Sequence, residues 1–307
     1  MRRTVLLCFL ICLCSSLTFG QFGGREGDAV LYVVCAKGNS DFQVVPPDTV
    51  NPQTGLDIKD PFSMPREPFG PDFPGESFVL LHQEEQDNFR MVVQLPDIYT
   101  QHNQFLGPAK LLIFEGIDRL AIPAKAPIDL TAGLFAPFPE GVDFGPEVPV
   151  FEAHSFLWTP SPVFPLIVPR DPDFISPITP PGLTGSEYVL QLGSFLGIIP
   201  WVGFNKTYPG AGWTVGIDSK MIDQDPNLGS TVRLIRLRAG KKTPTFRIAA
   251  NTHLAVLSGS VQITPAKGTT TVLSTLNYAF VPNNFAIVLA NPRQFDFAPA
   301  DAAAPAR

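Results

Sequence analysis

Four histidines, at positions 82, 102, 154 and 253, are the imidazoles this chain has to offer, and Cys35 is the one cysteine beyond residue 20. A mononuclear metal centre takes three or four neutral imidazoles or carboxylates converging from neighbouring elements. His102 and Gln104 stand two apart, so on a strand they share a face. One imidazole and one amide fall short of a metal site, and no spacing obliges His82 or His154 to join them. An imidazole can also act as a general base beside a tyrosine acid. His102 would be that base, but Tyr99 lies at an odd spacing that puts it on the opposite face, and no carboxylate stands out to orient the ring. The simplest reading of His102 is an inward imidazole satisfied by a hydrogen bond.

Other chemistry is sparse. Glu84-Glu85-Gln86-Asp87-Asn88 reads as a solvated hairpin turn, without the glycine and spacing of a calcium loop. Arg236, Arg238, Lys241, Lys242 and Arg247 read as a solvated basic face. Asn205-Lys206-Thr207 is a glycosylation sequon, meaningful in a eukaryotic source. There is no phosphate-cradling glycine loop, nucleophile elbow or zinc-type Cys/His cluster.

The elements that must position these residues are strands. Short β-rich runs (Phe89 to Leu95, Lys110 to Phe114, Thr231 to Leu237, His253 to Leu257) alternate with Pro- and Gly-bearing turns, and no long stretch carries a helical period. The run Val30 to Ala36 reads as a further strand. Pro-rich stretches at residues 51–75 and 149–181 punctuate the plan. The second carries Phe156, Trp158, Phe164, Leu166 and Ile167, too apolar for a free linker, and reads as a belt over the barrels or a lid over one mouth.

Gly240 to Gly259 has the spacing G-x5-Phe246-x-Ile248-x3-Thr252-x6-G. Pro282-Asn283-Asn284 is followed three residues later by Ile287, and then by Asn291. These resemble the two signatures of the cupin superfamily, with Phe246, Ile248, Thr252 and Ile287 at its metal-ligand positions. A second copy resembles the same frame upstream. Pro96 stands for the opening glycine, His102, Gln104 and Ala109 for the first three ligands, and Gly116 closes the first signature. Gly133, Pro139 and Gly141 keep the second signature, with Phe144 as its last ligand position. The resemblance implies an all-β chain, a bicupin of two tandem jelly-roll barrels.

The implied division is a signal peptide at 1–20, an N-terminal strand and Pro-rich excursion at 21–75, and barrel one at 76–155. A Pro-rich apolar connector follows at 156–210, then barrel two at 211–298 and a tail at 299–307. With alternating faces, Phe246, Ile248, Thr252, Leu254, Val256 and Ile287 fill barrel two, while His253 points out of it.

The 307 residues are 45% hydrophobic and 16% charged, enough to bury sizeable cores. Arg2-Arg3 followed by an apolar run too short to span a bilayer reads as a secretory signal, so the mature product is secreted or periplasmic. Removing those two arginines takes the formal charge from -6 to about -8, which argues against nucleic acid as a partner. With Cys35 alone the mature fold stands on packing, and its place in an apolar run suits a buried small hydrophobe.

These observations together lead to the expectation of a secreted, metal-free, non-catalytic bicupin. It would bind a small molecule or carbohydrate or serve as a structural protein, without a cofactor, and as a candidate homo-oligomer. The alternative is a secreted cupin enzyme, an isomerase, epimerase or dioxygenase-like protein, built around His102.

Overall fold

The run from Val30 to Ala36 lacks polar alternation because both faces of its strand are buried. In the computed structural model, which describes residues 22–52, 55–122, 125–160 and 167–292, Leu31, Val33 and Cys35 point into one barrel. Val30, Tyr32, Val34 and Ala36 point into a second cluster that joins the two barrels. The expected signal peptide, Phe164 and Leu166, and the tail lie outside the described residues.

The chain opens with β1 (Ala29–Val44) and β2 (Asp57–Lys59). Barrel one follows: β3 (Glu67–Pro68), β4 (Glu76–Glu84), β5 (Asp87–Gln94), β6 (Asn103–Phe105), β7 (Ala109–Leu120), β8 (Ile128–Thr131), β9 (Leu134–Phe138), β10 (Asp143–Phe144) and β11 (Phe151–Thr159). The connector contributes β12 (Ile167–Pro169), a helix Gly185–Leu192 with a Thr184–Glu187 capping box, β13 (Ser194–Phe195) and β14 (Val202–Gly203). Barrel two comprises β15 (Ile217–Asp225), β16 (Ser230–Leu237), β17 (Lys241–Lys242), β18 (Phe246–Ser258), β19 (Ser260–Pro265), β20 (Thr271–Ser274), β21 (Tyr278–Val281) and β22 (Ile287–Asn291).

Barrel one therefore runs past residue 155, through the end of β11. Between β5 and β7, β11 takes the place that β1 takes between β16 and β18. The first described strand thus completes barrel two, and β2 adds to it by pairing with β21. The connector packs as a belt: β12 pairs with β6 and β13 with β9.

Three apolar clusters follow from strand alternation. Barrel two's interior holds Leu31, Val33, Phe246, Ile248, Leu254, Val256 and Ile287. Barrel one's interior holds Phe105, Ala109, Phe138, Phe144 and Leu157. The seam between the barrels takes the opposite faces, with Tyr32, Phe89, Met91, Phe156, Trp158 and Tyr278 fully buried. A charged pair crosses it, with Lys110 Nζ donating to Asp223 Oδ2 at 2.5 Å.

Candidate functional site

Along β6 the inward face lies one residue away from the expected one. Across β6 and β10, Asn103 faces Phe144 and Gln104 faces Asp143. Residues directly opposite in an antiparallel pair share a face, so Asn103 and Phe144 point inward and Gln104 and Asp143 outward. In barrel two the equivalent facing pair is Phe246 and Ile287. The carbonyl of Phe105 accepts from the Gly141 amide at 2.9 Å, as that of Ile248 does from Asn284 at 2.8 Å. Asn103, Phe105, Ala109 and Phe144 are therefore the counterparts of Phe246, Ile248, Thr252 and Ile287.

His102 and Gln104 do not occupy ligand positions. By spacing alone Pro96 stands for the opening glycine, but Asp97 adopts φ 60°, the left-handed conformation of Gly240 at φ 73°. Aspartate tolerates that region when its side chain bonds locally, so it can replace the glycine. Counting from Asp97 gives both copies the same spacing. Neither set of four offers a metal more than a carboxamide or a hydroxyl. The Thr252 hydroxyl already donates to the Ala250 carbonyl at 3.0 Å. The residues present do not fit the metal that the cupin signatures imply for either barrel.

His102 and Gln104 instead hold the connector. His102 Nε2 lies 3.1 Å from Asp143 Oδ2 and Nδ1 lies 3.3 Å from the Gly145 carbonyl, so both ring nitrogens face acceptors. Burial pulls the imidazole's pKa down, but Asp143 and the Gly145 carbonyl outweigh it and hold it above the ordinary value. Asp143 also accepts from the Ser176 amide and the Thr179 hydroxyl. It is the orienting carboxylate that spacing alone did not reveal. Gln104 accepts from Arg170 Nε at 2.7 Å and donates to the Gly141 carbonyl.

The space bounded by Asn103 is a cleft of about 400 Å³, walled by Phe69, Phe105, Phe138 and Phe144, with Glu76, Gln94, Glu147 and Ser155 among its polar lining. Both polar atoms of the Asn103 side chain are buried without a partner, as is Glu76 Oε1. Behind them Glu147 reaches both Glu76 and the buried Asp118. Ionised carboxylates accept and cannot donate, so this row holds together when a proton is shared within it. Burial, followed by the charge of Asp118, raises Glu76 to about 7; burial also raises Asp118 to about 6. Burial together with both neighbours pushes Glu147 well above the carboxylate range, which makes it the protonated member.

Barrel two keeps a smaller space, about 260 Å³ by the same measure, lined by Thr252 and otherwise by apolar side chains. Phe246, Ile248, Leu254, Val256 and Ile287 are each at most 4% exposed in one cluster. Cys35 is buried there, and burial pushes its thiol up.

The remaining histidines lie elsewhere. His154 on β11 sits between Glu115 at 3.0 Å and Glu152 at 3.1 Å. His253 points out of barrel two, but into the seam, where Nε2 meets Asp87 Oδ1 and Nδ1 meets Tyr278 Oη, each at 2.7 Å. His82 stacks on Phe280 at 3.8 Å. Burial, then His253, lowers its pKa to about 4. The 84–88 segment is a hairpin turn, but its Asp87 is 5% exposed, because it belongs to the seam and not to solvent.

The fold has many relatives among solved structures. A candidate dioxygenase of Nostoc punctiforme is 14% identical with a TM-score of 0.55, covering 83% of each chain. A salicylate 1,2-dioxygenase of Pseudaminobacter salicylatoxidans is also 14% identical, at TM-score 0.54, over 80% of this chain and 83% of that one. An oxalate decarboxylase variant of Bacillus subtilis is 11% identical, at TM-score 0.53, over 80% and 76%. The chain has the bicupin fold. At these identities the likeness carries architecture and not chemistry. No family model matches the bicupin chain, and no curated protein matches it significantly. Among the described residues of this bicupin, no helix is long and apolar enough to cross a membrane.

Proposed function

We propose that this bicupin is a secreted binding protein that takes a small hydroxylated molecule, of carbohydrate-like chemistry, in barrel one, while barrel two is a filled structural partner. The observation that carries the reading is Asn103. Its amide is 1% exposed and unpaired, beside the unpaired Glu76 Oε1. A buried amide without partners costs about 1–3 kcal/mol per group, which a ligand supplying both a donor and an acceptor would offset. Four phenylalanines give the apolar wall that the carbon face of a sugar or polyol packs against. The N-terminal segment supports secretion.

The test is calorimetric titration of the mature protein against a panel of monosaccharides and polyols, alongside Asn103→Ala. Binding that vanishes in the variant supports the proposal; a panel without binders, or binding indifferent to Asn103, refutes it. One observation favours a second reading as an acid–base enzyme: Glu76 lies in the same cleft with a pKa of about 7, near the optimum for proton transfer. Turnover of a bound ligand that is lost in Glu76→Gln with binding retained would select that reading.

A further inference from the structure

The β4–β5 hairpin brings a different donor set to the seam, outside both barrel interiors. His82 and Glu84 lie on β4 and Asp87 opens β5, facing Glu84 across the turn. His82 Nε2 is 3.6 Å from Glu84 Oε1 and 4.0 Å from Asp87 Oδ2. These spans exceed hydrogen-bond lengths. His82 Nε2 and Asp87 Oδ2 are both buried without a partner, on side chains 10% and 7% exposed. Two ligands each about 2.1 Å from a tetrahedral centre lie roughly 3.4 Å apart, so closing these gaps by a few tenths of an ångström would seat one ion.

The supporting groups fit the same reading. Asp87 Oδ1 accepts from His253 Nε2 at 2.7 Å and Trp158 Nε1 at 2.8 Å. That leaves Oδ2 turned to His82, as outer hydrogen bonds fix the free oxygen of a ligating carboxylate. His253 and Phe280 come from barrel two, so one barrel supplies the donors and the other positions them. The nearby cation, Lys59, is engaged by Asp57 at 3.0 Å and by the Leu81 carbonyl at 2.5 Å.

We propose that His82, Glu84 and Asp87 form a binding site for a divalent cation of zinc-like chemistry, one imidazole and two carboxylate oxygens with water completing the shell. The mixed nitrogen and oxygen set suits zinc over calcium or magnesium, which take oxygen. The site clamps the turn of barrel one against barrel two.

The test uses full-length mature protein stripped with chelator, titrated with zinc chloride by calorimetry and with cobalt(II) by absorption. One equivalent should bind, with the visible bands of a tetrahedral site and without the charge-transfer band of a thiolate. Glu84→Gln lies on an exposed side chain and leaves the fold intact, so its expected loss of tenfold or more in affinity is read on folded protein. His82→Gln should lose more, and Asn103→Leu in barrel one should lose nothing. No saturable zinc binding by the parent, a thiolate spectrum, calcium bound in preference to zinc, or undiminished affinity in the two seam variants would each overturn the proposal.

Discussion

Asn103 faces Phe144 across β6 and β10 as Phe246 faces Ile287 across β18 and β22. One barrel thus keeps a carboxamide where the other has a phenyl ring, and that exchange puts an unpaired amide into the larger of the two interior spaces. Asn103→Leu should stabilise the protein by about 1–2 kcal/mol, because two unpaired buried polar atoms are replaced by a methyl pair of similar volume. Urea unfolding measures it. A destabilisation of that size would mean that the amide is satisfied within the fold.

The carboxyl row makes stability depend on pH. Glu76 and Asp118 have folded pKa values raised to about 7 and about 6, and Glu147 is raised further. A raised value means the folded state holds the proton more tightly. The contribution is fully present below about pH 4 and is lost as pH rises through 6 to 7 and beyond, on the order of 3 kcal/mol for Glu76. His82, with its lowered pKa, works in the opposite sense between about 6.5 and 4. The difference between parent and a Glu76→Gln, Glu147→Gln double variant isolates the row. The parent's unfolding midpoint should fall relative to the variant's between pH 5 and 8, and parallel curves would show that no proton is shared.

Phe246→His with Ile287→His should cost several kcal/mol in the presence of chelator, through lost apolar burial and unpaired imidazoles in a filled barrel. Thermal unfolding decides it. An unchanged midpoint would mean that these positions reach solvent.

His102→Ala removes one partner of the buried Asp143 and should destabilise by roughly 1–3 kcal/mol, with increased proteolysis of the 170–186 segment that Asp143 anchors. Ligand binding in barrel one should persist, since His102 does not line the cleft. A binding defect without a stability defect would return His102 to the site.

The jelly-roll pair was readable because turn glycines and prolines recur at fixed intervals, and Gly240, Gly141 and Gly259 adopt the positive φ that their type permits. Along β6 the inward face was missed by one residue. Asp97 does in copy one what Gly240 does in copy two, and its residue type does not announce that conformation. A one-residue slip along a strand exchanges its two faces, which puts His102 inward in place of Asn103. The carboxyl row left no local trace: Glu76, Asp118 and Glu147 come from separate elements and meet through closure of the barrel. The seam site was likewise hidden, since Glu84 and Asp87 look like ordinary turn acids until His253 and Trp158 approach from elsewhere.

The placement of β1 has a consequence for how the chain is made. This strand leaves the ribosome before the other described strands, yet Cys35 must wait for Thr231 and Thr252, roughly 200 residues later, before its ladder forms. Barrel one can close in the interval, while an apolar strand with two sticky faces stays unpaired. A shortened product ending before β16 would carry that strand with nowhere to dock and would be prone to aggregation. Two complete chains that exchange β1 would preserve every pairing in each barrel, so crowded refolding should yield a strand-swapped dimer alongside the monomer.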